Sequence, residues 1–181
     1  MAKKLGTAAL AGAALVGMHQ ANKPGQAMQT PAISQPAIDQ NAMNAMALTM
    51  WGEARNQGEA GMRAVGHVIK NRAESNHPGV FGGTDIEAVA HAPKQFSAWN
   101  KGDPNRQMML DIDDLQPGDP GYDEWQTAQK LATNILSGRD SDNTNGSLYY
   151  HTNAVNPVWA KKMDPVKKIG DHLFYNEIPQ A

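Results

Sequence analysis

The stretch Trp51-Gly52-Glu53-Ala54-Arg55 sets one carboxylate between two runs of helical periodicity. Upstream, Met43, Met46, Ala47, Met50 and Ala54 recur three and four apart, the spacing of one apolar stripe, and Asp39 is placed to cap that helix. Downstream, Met62, Val65, Gly66 and Ile69 repeat the spacing after a break at Gly58, with Glu59 as a favourable acid in the new first turn. Glu53 therefore falls in the last turn of the first helix, where the negative end of the helix dipole favours a protonated carboxyl. A carboxyl that keeps its proton near neutral pH can act as a general acid. The competing reading is a solvated helix residue paired with Arg55 or Arg63.

A second chemistry-bearing stretch is Ala92 to Asp103, where Gln95, Ser97, Trp99 and Asn100 share a loop closed by Gly102 and Pro104. Aromatic rings and amides together suit sugar recognition: the ring face covers the apolar side of a pyranose while amides read its hydroxyls. Phe96 reads as a core anchor of that loop, and Trp99 fits either role.

These segments need a scaffold. Ser75 to Asp85 reads as a loop and Asp85 to Ala90 as a short helix or turn. Asp111 to Asp123 is acidic and turn-rich; without the EF-hand spacing its aspartates read as solvated charge. From Tyr122 to Gly138 the residues Trp125, Ala128, Leu131, Ala132, Ile135 and Leu136 line one face of a supporting helix that stops at Gly138. Strands are expected at Ser147 to His151 and at Ile169 to Tyr175, separated by a loop carrying Asn153, Asn156, Pro157 and Trp159. The coarse architecture is α+β and mainly helical, a small antiparallel sheet beside a helical core.

The 181 residues suggest one domain of roughly 140 residues plus a tail. A net charge of -2 with no basic run offers no footprint for nucleic acid, and the absence of cysteine excludes disulfides and thiolate metal sites. Lys3 and Lys4 precede an Ala/Gly/Leu/Val run ending at Met18, so residues 1–21 read as a secretory signal or as an uncleaved docking helix. Residues 22–40, with Pro24, Pro31 and Pro36 among Gln, Ala and Ser, read as a linker, and 41–181 as the functional domain.

Three pieces in order, WGEARNQGEAGMRAVGHVIKNR, PKQFSAWNKGD and GSLYYHTNAVNPVWAKKMDPVKKIGDHLFY, resemble the SleB/CwlJ-type cell-wall hydrolases, the family of spore cortex-lytic enzymes with relatives in Gram-negative bacteria and phages. The likeness spans about Ala42 to Asn176. It implies a lysozyme-like catalytic domain and a lytic transglycosylase, acting between N-acetylmuramic acid and N-acetylglucosamine without cofactor or metal. The Glu of the family's Gly-Glu-Ala-Arg motif, its catalytic acid, falls here on Glu53. Trp51 stands where the family often has tyrosine, and Asn56 replaces a common glycine. The same resemblance makes Gln95, Ser97, Tyr149, Tyr150 and His151 groove candidates, with Trp159 and His172 beside them. Tyr149 and Tyr150 are neighbours on a strand and point to opposite faces, so at most one faces sugar. Trp159 also fits as a lid on the core, and His151 as a buried structural imidazole.

Two other readings stand beside this one. A zinc amidase would gather ligands from His67, His77, His91, His151 and His172, although no tight ligand spacing is present. A virion or envelope protein would use the fold as a peptidoglycan-binding module, docking through its N-terminal segment. The expected location is the periplasm or cell wall after export, or a phage virion.

Overall fold

Asp39 starts the described fold: its carboxylate accepts the N–H groups of Asn41 and Ala42, at 2.8 and 3.3 Å, and so caps helix α1 (Gln40–Ala54). The computed structural model describes residues 37–179, all within one compact unit. The N-terminal segment 1–21 and most of the 22–40 linker lie outside the described residues. Among the described residues no helix is long and apolar enough to cross a membrane.

The spacing in α1 predicts one apolar stripe, but the helix is buried on most of its faces. Ala42, Ala45, Met46, Ala47, Thr49, Met50, Trp51, Gly52 and Ala54 are all inside, and α1 packs on four other helices. The reason lies in its small residues, which let neighbours approach from several directions. Gly66 of helix α2 (Gly58–Glu74) does the same from the other side: a Cβ there would stand 2.7 Å from Cδ1 of Ile135 and against the sulfur of Met50. Arg55–Gln57 form a 3-10 turn after α1, and Gly58 at φ 68° provides the left-handed step into α2.

Helices α3 (Pro78–Phe81) and α4 (Ile86–His91) follow, then α5 (Pro104–Leu110), capped by Asp103 in a stretch read from the sequence as the end of a loop. Asp103 and Pro104 are helix-start signals, but the seven residues of α5 are too few to show a period. Helix α6 (Tyr122–Leu136) buries Trp125, Ala128, Leu131, Ala132 and Ile135 against α1 and α2, as its spacing predicts.

The sheet has three antiparallel strands in the order β1-β3-β2: β1 (Tyr149–Thr152), β2 (Lys167–Ile169) and β3 (His172–Tyr175). The single strand expected over 169–175 is instead a hairpin, because Gly170 at φ 56° and Asp171 turn the chain back and pair Ile169 with His172. The Gly170-Asp171 pair is itself a two-residue hairpin-turn signal, which a single-strand reading of the segment passes over. Gln57 ties the hairpin to the turn after α1, its Oε1 accepting the Asp171 N–H at 2.9 Å. The segment that follows Glu53 is thereby fixed to the sheet.

Candidate active site

Glu53, half-buried at the end of α1, makes no ion pair with Arg55 or Arg63. Arg55 lies over the Trp51 ring, 4.2 Å from its centroid, and donates to Asn105 Oδ1 at 2.7 Å, while Arg63 pairs with Glu59 and Asp140. Glu53 is instead held by three hydrogen-bond donors. Its Oε1 accepts the backbone N–H of Ala98 at 2.7 Å and the Ser97 hydroxyl at 3.1 Å, and its Oε2 accepts the Tyr150 hydroxyl at 2.8 Å. Helix, loop and strand thus converge on one carboxyl group.

The carboxyl opens into a groove of about 480 Å³ lined by Gly52, Arg72, Lys94, Gln95, Ser97, Asn100, Asn105, Tyr150, His151, Thr152, Val155 and His172. Glu53 is the only carboxylate among these lining residues. Of the residues singled out in the sequence, Gln95, Ser97, Asn100, Tyr150, His151 and His172 meet in this groove. Trp99, Tyr149 and Trp159 do not line it. The Trp99 indole N–H is spent on Thr49 Oγ1 at 2.8 Å, its ring meets His91 edge-on, and so it serves as the anchor that holds the loop to α1. Tyr149, on the opposite strand face from Tyr150, packs on Phe81 and Trp159. Trp159 in turn meets the rings of His151 and Tyr175 edge-on.

Burial drives the Tyr150 phenol well above its ordinary range, and the charge and hydrogen bond of Glu53 push the same way against a smaller pull from Arg72. The hydroxyl therefore remains a donor across the working pH range. The Tyr150 ring is fixed by Phe174, paired with it across the strands, and by the edge of His172 at 5.0 Å. His172 is 3% exposed, its Nδ1 is buried without a hydrogen-bond partner among the described residues, and burial lowers its pKa, which favours the uncharged ring beside the phenol. His151 lies parallel to the Tyr175 ring and bonds its hydroxyl at 2.8 Å through Nε2, while Nδ1 donates to the Thr152 carbonyl at 2.9 Å. With both ring nitrogens engaged, His151 does not touch Glu53.

Arg72, which was not singled out from the sequence, lies in the wall of this groove. Only 3% exposed, it donates Nε to the Leu148 carbonyl at 2.7 Å and reaches the Gln95 carbonyl, with its guanidinium stacked near Phe96, Phe81 and Tyr149. It joins the Gln95 loop to the start of β1, the two segments that supply the donors to Glu53. Burial lowers its pKa from the ordinary value, opposed by Tyr150, Tyr149 and Glu53. One signal could have found it: an arginine one helical turn from Ile69 and Val68 continues the buried face of α2.

Among the described residues no three His, Asp or Glu side chains converge to hold a metal ion. His67 bonds Asp140 at 3.0 Å, His91 lies on Trp99, both ring nitrogens of His151 are engaged, and His172 packs edge-on against Tyr150. The ligand set that a zinc amidase would need is therefore not formed by these residues.

The model of the family described as Cell Wall Hydrolase matches residues 56–175. The chain belongs to that family. The matched span begins just after Glu53. Similar proteins include the spore cortex-lytic enzyme of Bacillus cereus, 29% identical over 160 residues, which cover 87% of this chain and 52% of the relative. The spore cortex-lytic enzyme of Oceanobacillus iheyensis is 27% identical over 146 residues, covering 80% and 45%. The chain spans about half the length of the curated relatives it matches. The catalytic domain of the Bacillus cereus SleB protein superposes with a TM-score of 0.56 at 28% identity, covering 77% of this chain and 93% of that one. The catalytic domain of the germination-specific lytic transglycosylase SleB from Bacillus anthracis gives 0.55 at 25% identity, covering 77% and 98%. The lysozyme-like fold, mainly helical with a small antiparallel sheet, is the one shared with these cell wall hydrolases.

Proposed function

We propose that the chain is a peptidoglycan-cleaving lytic transglycosylase that cuts between N-acetylmuramic acid and N-acetylglucosamine with Glu53 as its single acid-base residue. The observation that carries this reading is that, among the described residues lining the groove, Glu53 is the only carboxylate. A hydrolytic glycosidase ordinarily needs two carboxyl groups, about 5 to 9.5 Å apart. One is enough when the nucleophile belongs to the substrate.

Protonated Glu53 donates to the glycosidic oxygen as the bond from muramic acid C1 to that oxygen breaks. The C6 hydroxyl of the same muramic acid then bonds to C1, and its proton passes to the Glu53 carboxylate, which regenerates the acid. The backbone N–H of Ala98 can only donate, so Oε1 stays an acceptor throughout and the mobile proton belongs on Oε2. The Tyr150 hydroxyl at Oε2 has a lone pair as well as a proton and can turn to suit either state. Gln95, Ser97, Tyr150, His151 and His172 form the substrate-facing wall.

This activity places the protein's work outside the cytoplasm, at the wall. Neither a virion partner nor an amidase reaction finds support in the relatives, which are spore cortex-lytic enzymes. The deciding experiment is mass spectrometry of the products released from purified peptidoglycan, with and without a chelator. Anhydro-muramic ends that persist with chelator are the expected result. Hydrated reducing ends would overturn the one-carboxylate mechanism, and stem peptides lost on chelation would overturn glycan cleavage altogether.

A further inference from the structure

Two non-glycine residues among those described have positive φ: Asn145 at 60° and Lys94 at 66°. Asn145 needs no special account, because asparagine tolerates this region and here belongs to a polar turn. Lys94 does. It follows Pro93 in a turn closed by the Gln95 N–H to the Ala92 carbonyl at 3.1 Å, at the position where glycine or asparagine is usual. A lysine held there against its backbone preference points to a use for its side chain.

Its surroundings indicate the use. Lys94 is exposed, lines the groove that holds Glu53, and has no hydrogen-bond or ion-pair partner among the described residues. It lies three residues before Ser97, which bonds Glu53, so its Cα is at most about 11 Å from that of Ser97. The turn itself is anchored: the Gln95 side chain donates to the Val80 carbonyl at 3.0 Å, and Arg72 holds the Gln95 carbonyl. Among its described lining residues the groove thus carries a lysine on an anchored turn at its rim, a buried guanidinium in its wall and a single carboxylate, in a chain whose net charge is -2. That local sign selects an anionic feature of the substrate.

Resting on the glycan-cleaving reading, we infer that Lys94 forms an anion subsite for a carboxylate of the peptide carried by the glycan strand. The sugars flanking the scissile bond are then recognised by the hydrogen-bonding wall, and the stem peptide by this ammonium, so the enzyme prefers strands bearing stems to bare ones.

The test is kcat/KM on two purified substrates, glycan strands carrying stem peptides and the same strands stripped of them with the freed lactyl carboxylate blocked as a methylamide, for the wild type and for Lys94→Gly, Lys94→Asn and Lys94→Arg. The expected result is a stem-bearing to bare ratio that falls about five- to tenfold in Lys94→Gly and Lys94→Asn, through KM, and recovers in Lys94→Arg. Because glycine and asparagine suit the turn, both variants should melt no lower than the wild type. A ratio unchanged in both, with cleavage intact, would overturn the subsite and leave the glycan-cleaving reading standing. Failure of the wild type to cleave either substrate would overturn that reading and the subsite with it.

Discussion

Tyr150 donates its hydroxyl to Oε2 of Glu53 at 2.8 Å, joining residues 97 positions apart in the chain. With Ala98 and Ser97 on the other oxygen, the carboxyl group is clamped on both sides. Reorienting it costs hydrogen bonds, so its direction toward the groove is set before substrate arrives.

Glu53→Gln keeps the side-chain shape and one acceptor oxygen but cannot deliver an acid proton. Product release from peptidoglycan should fall at least about a hundredfold, the lower bound for losing a general acid. The melting temperature should stay close to that of the wild type. Wild-type activity in this variant would remove Glu53 from the reaction.

Tyr150→Phe removes one donor while leaving the ring against His172 and Phe174. We expect kcat to drop about tenfold or more, with KM changed less, in steady-state assays on glycan strands. The raised phenol pKa has a stability counterpart. Below the ordinary phenol pKa both states are neutral and the contribution is intact; as pH climbs above it the unfolded chain ionises first and stability is lost. Alkaline melting curves should therefore show a shallower loss in Tyr150→Phe than in the wild type.

Gly52→Ala tests the support behind the clamp. The added methyl would stand 2.8 Å from the Ala98 Cβ and press on the Met109 sulfur. Relief requires moving the residue whose N–H holds Glu53. Overpacking of this kind costs about 1–3 kcal/mol, and activity measured below the melting range should fall by more than the folded fraction accounts for.

Arg72→Met keeps a long side chain against Phe81 and Phe96 but leaves the Leu148 carbonyl without its donor. An unsatisfied buried carbonyl costs about 1–3 kcal/mol, which chemical denaturation can measure. Arg72→Ala adds a cavity among the rings and should lose more. Little change in either would show that the guanidinium does not tie the loop to the strand.

The position of Glu53 at a helix end was legible because the signals that set it are local. The two helices flanking Glu53, the cap at Asp39 and the break at Gly58 are marked by residues within a few turns of one another, and the structure has all of them, although α1 is buried on most faces and not along one stripe. The α6 face was legible for the same reason. The hairpin at Gly170 and Asp171 was legible as well, since a Gly-Asp pair between two short strand-like runs is a turn signal, but reading 169–175 as one strand passes over it.

What only the tertiary structure decided is which aromatic and amide residues meet the carboxylate. Trp99 and Tyr149 have the chemistry for a sugar groove, yet Thr49 takes the indole N–H of the first, and the strand pleat turns the second toward Phe81. Arg72 and Lys94 were not singled out, although one continues a buried helix face and the other occupies a strained turn at the rim. The sequence alone determined a glutamate at the end of a helix in a mainly helical domain, because helix signals repeat within one turn of the chain. Packing decided the rest of the site, because its donors come from a loop and a strand 44 to 97 residues away from Glu53, a distance over which local spacing holds no information.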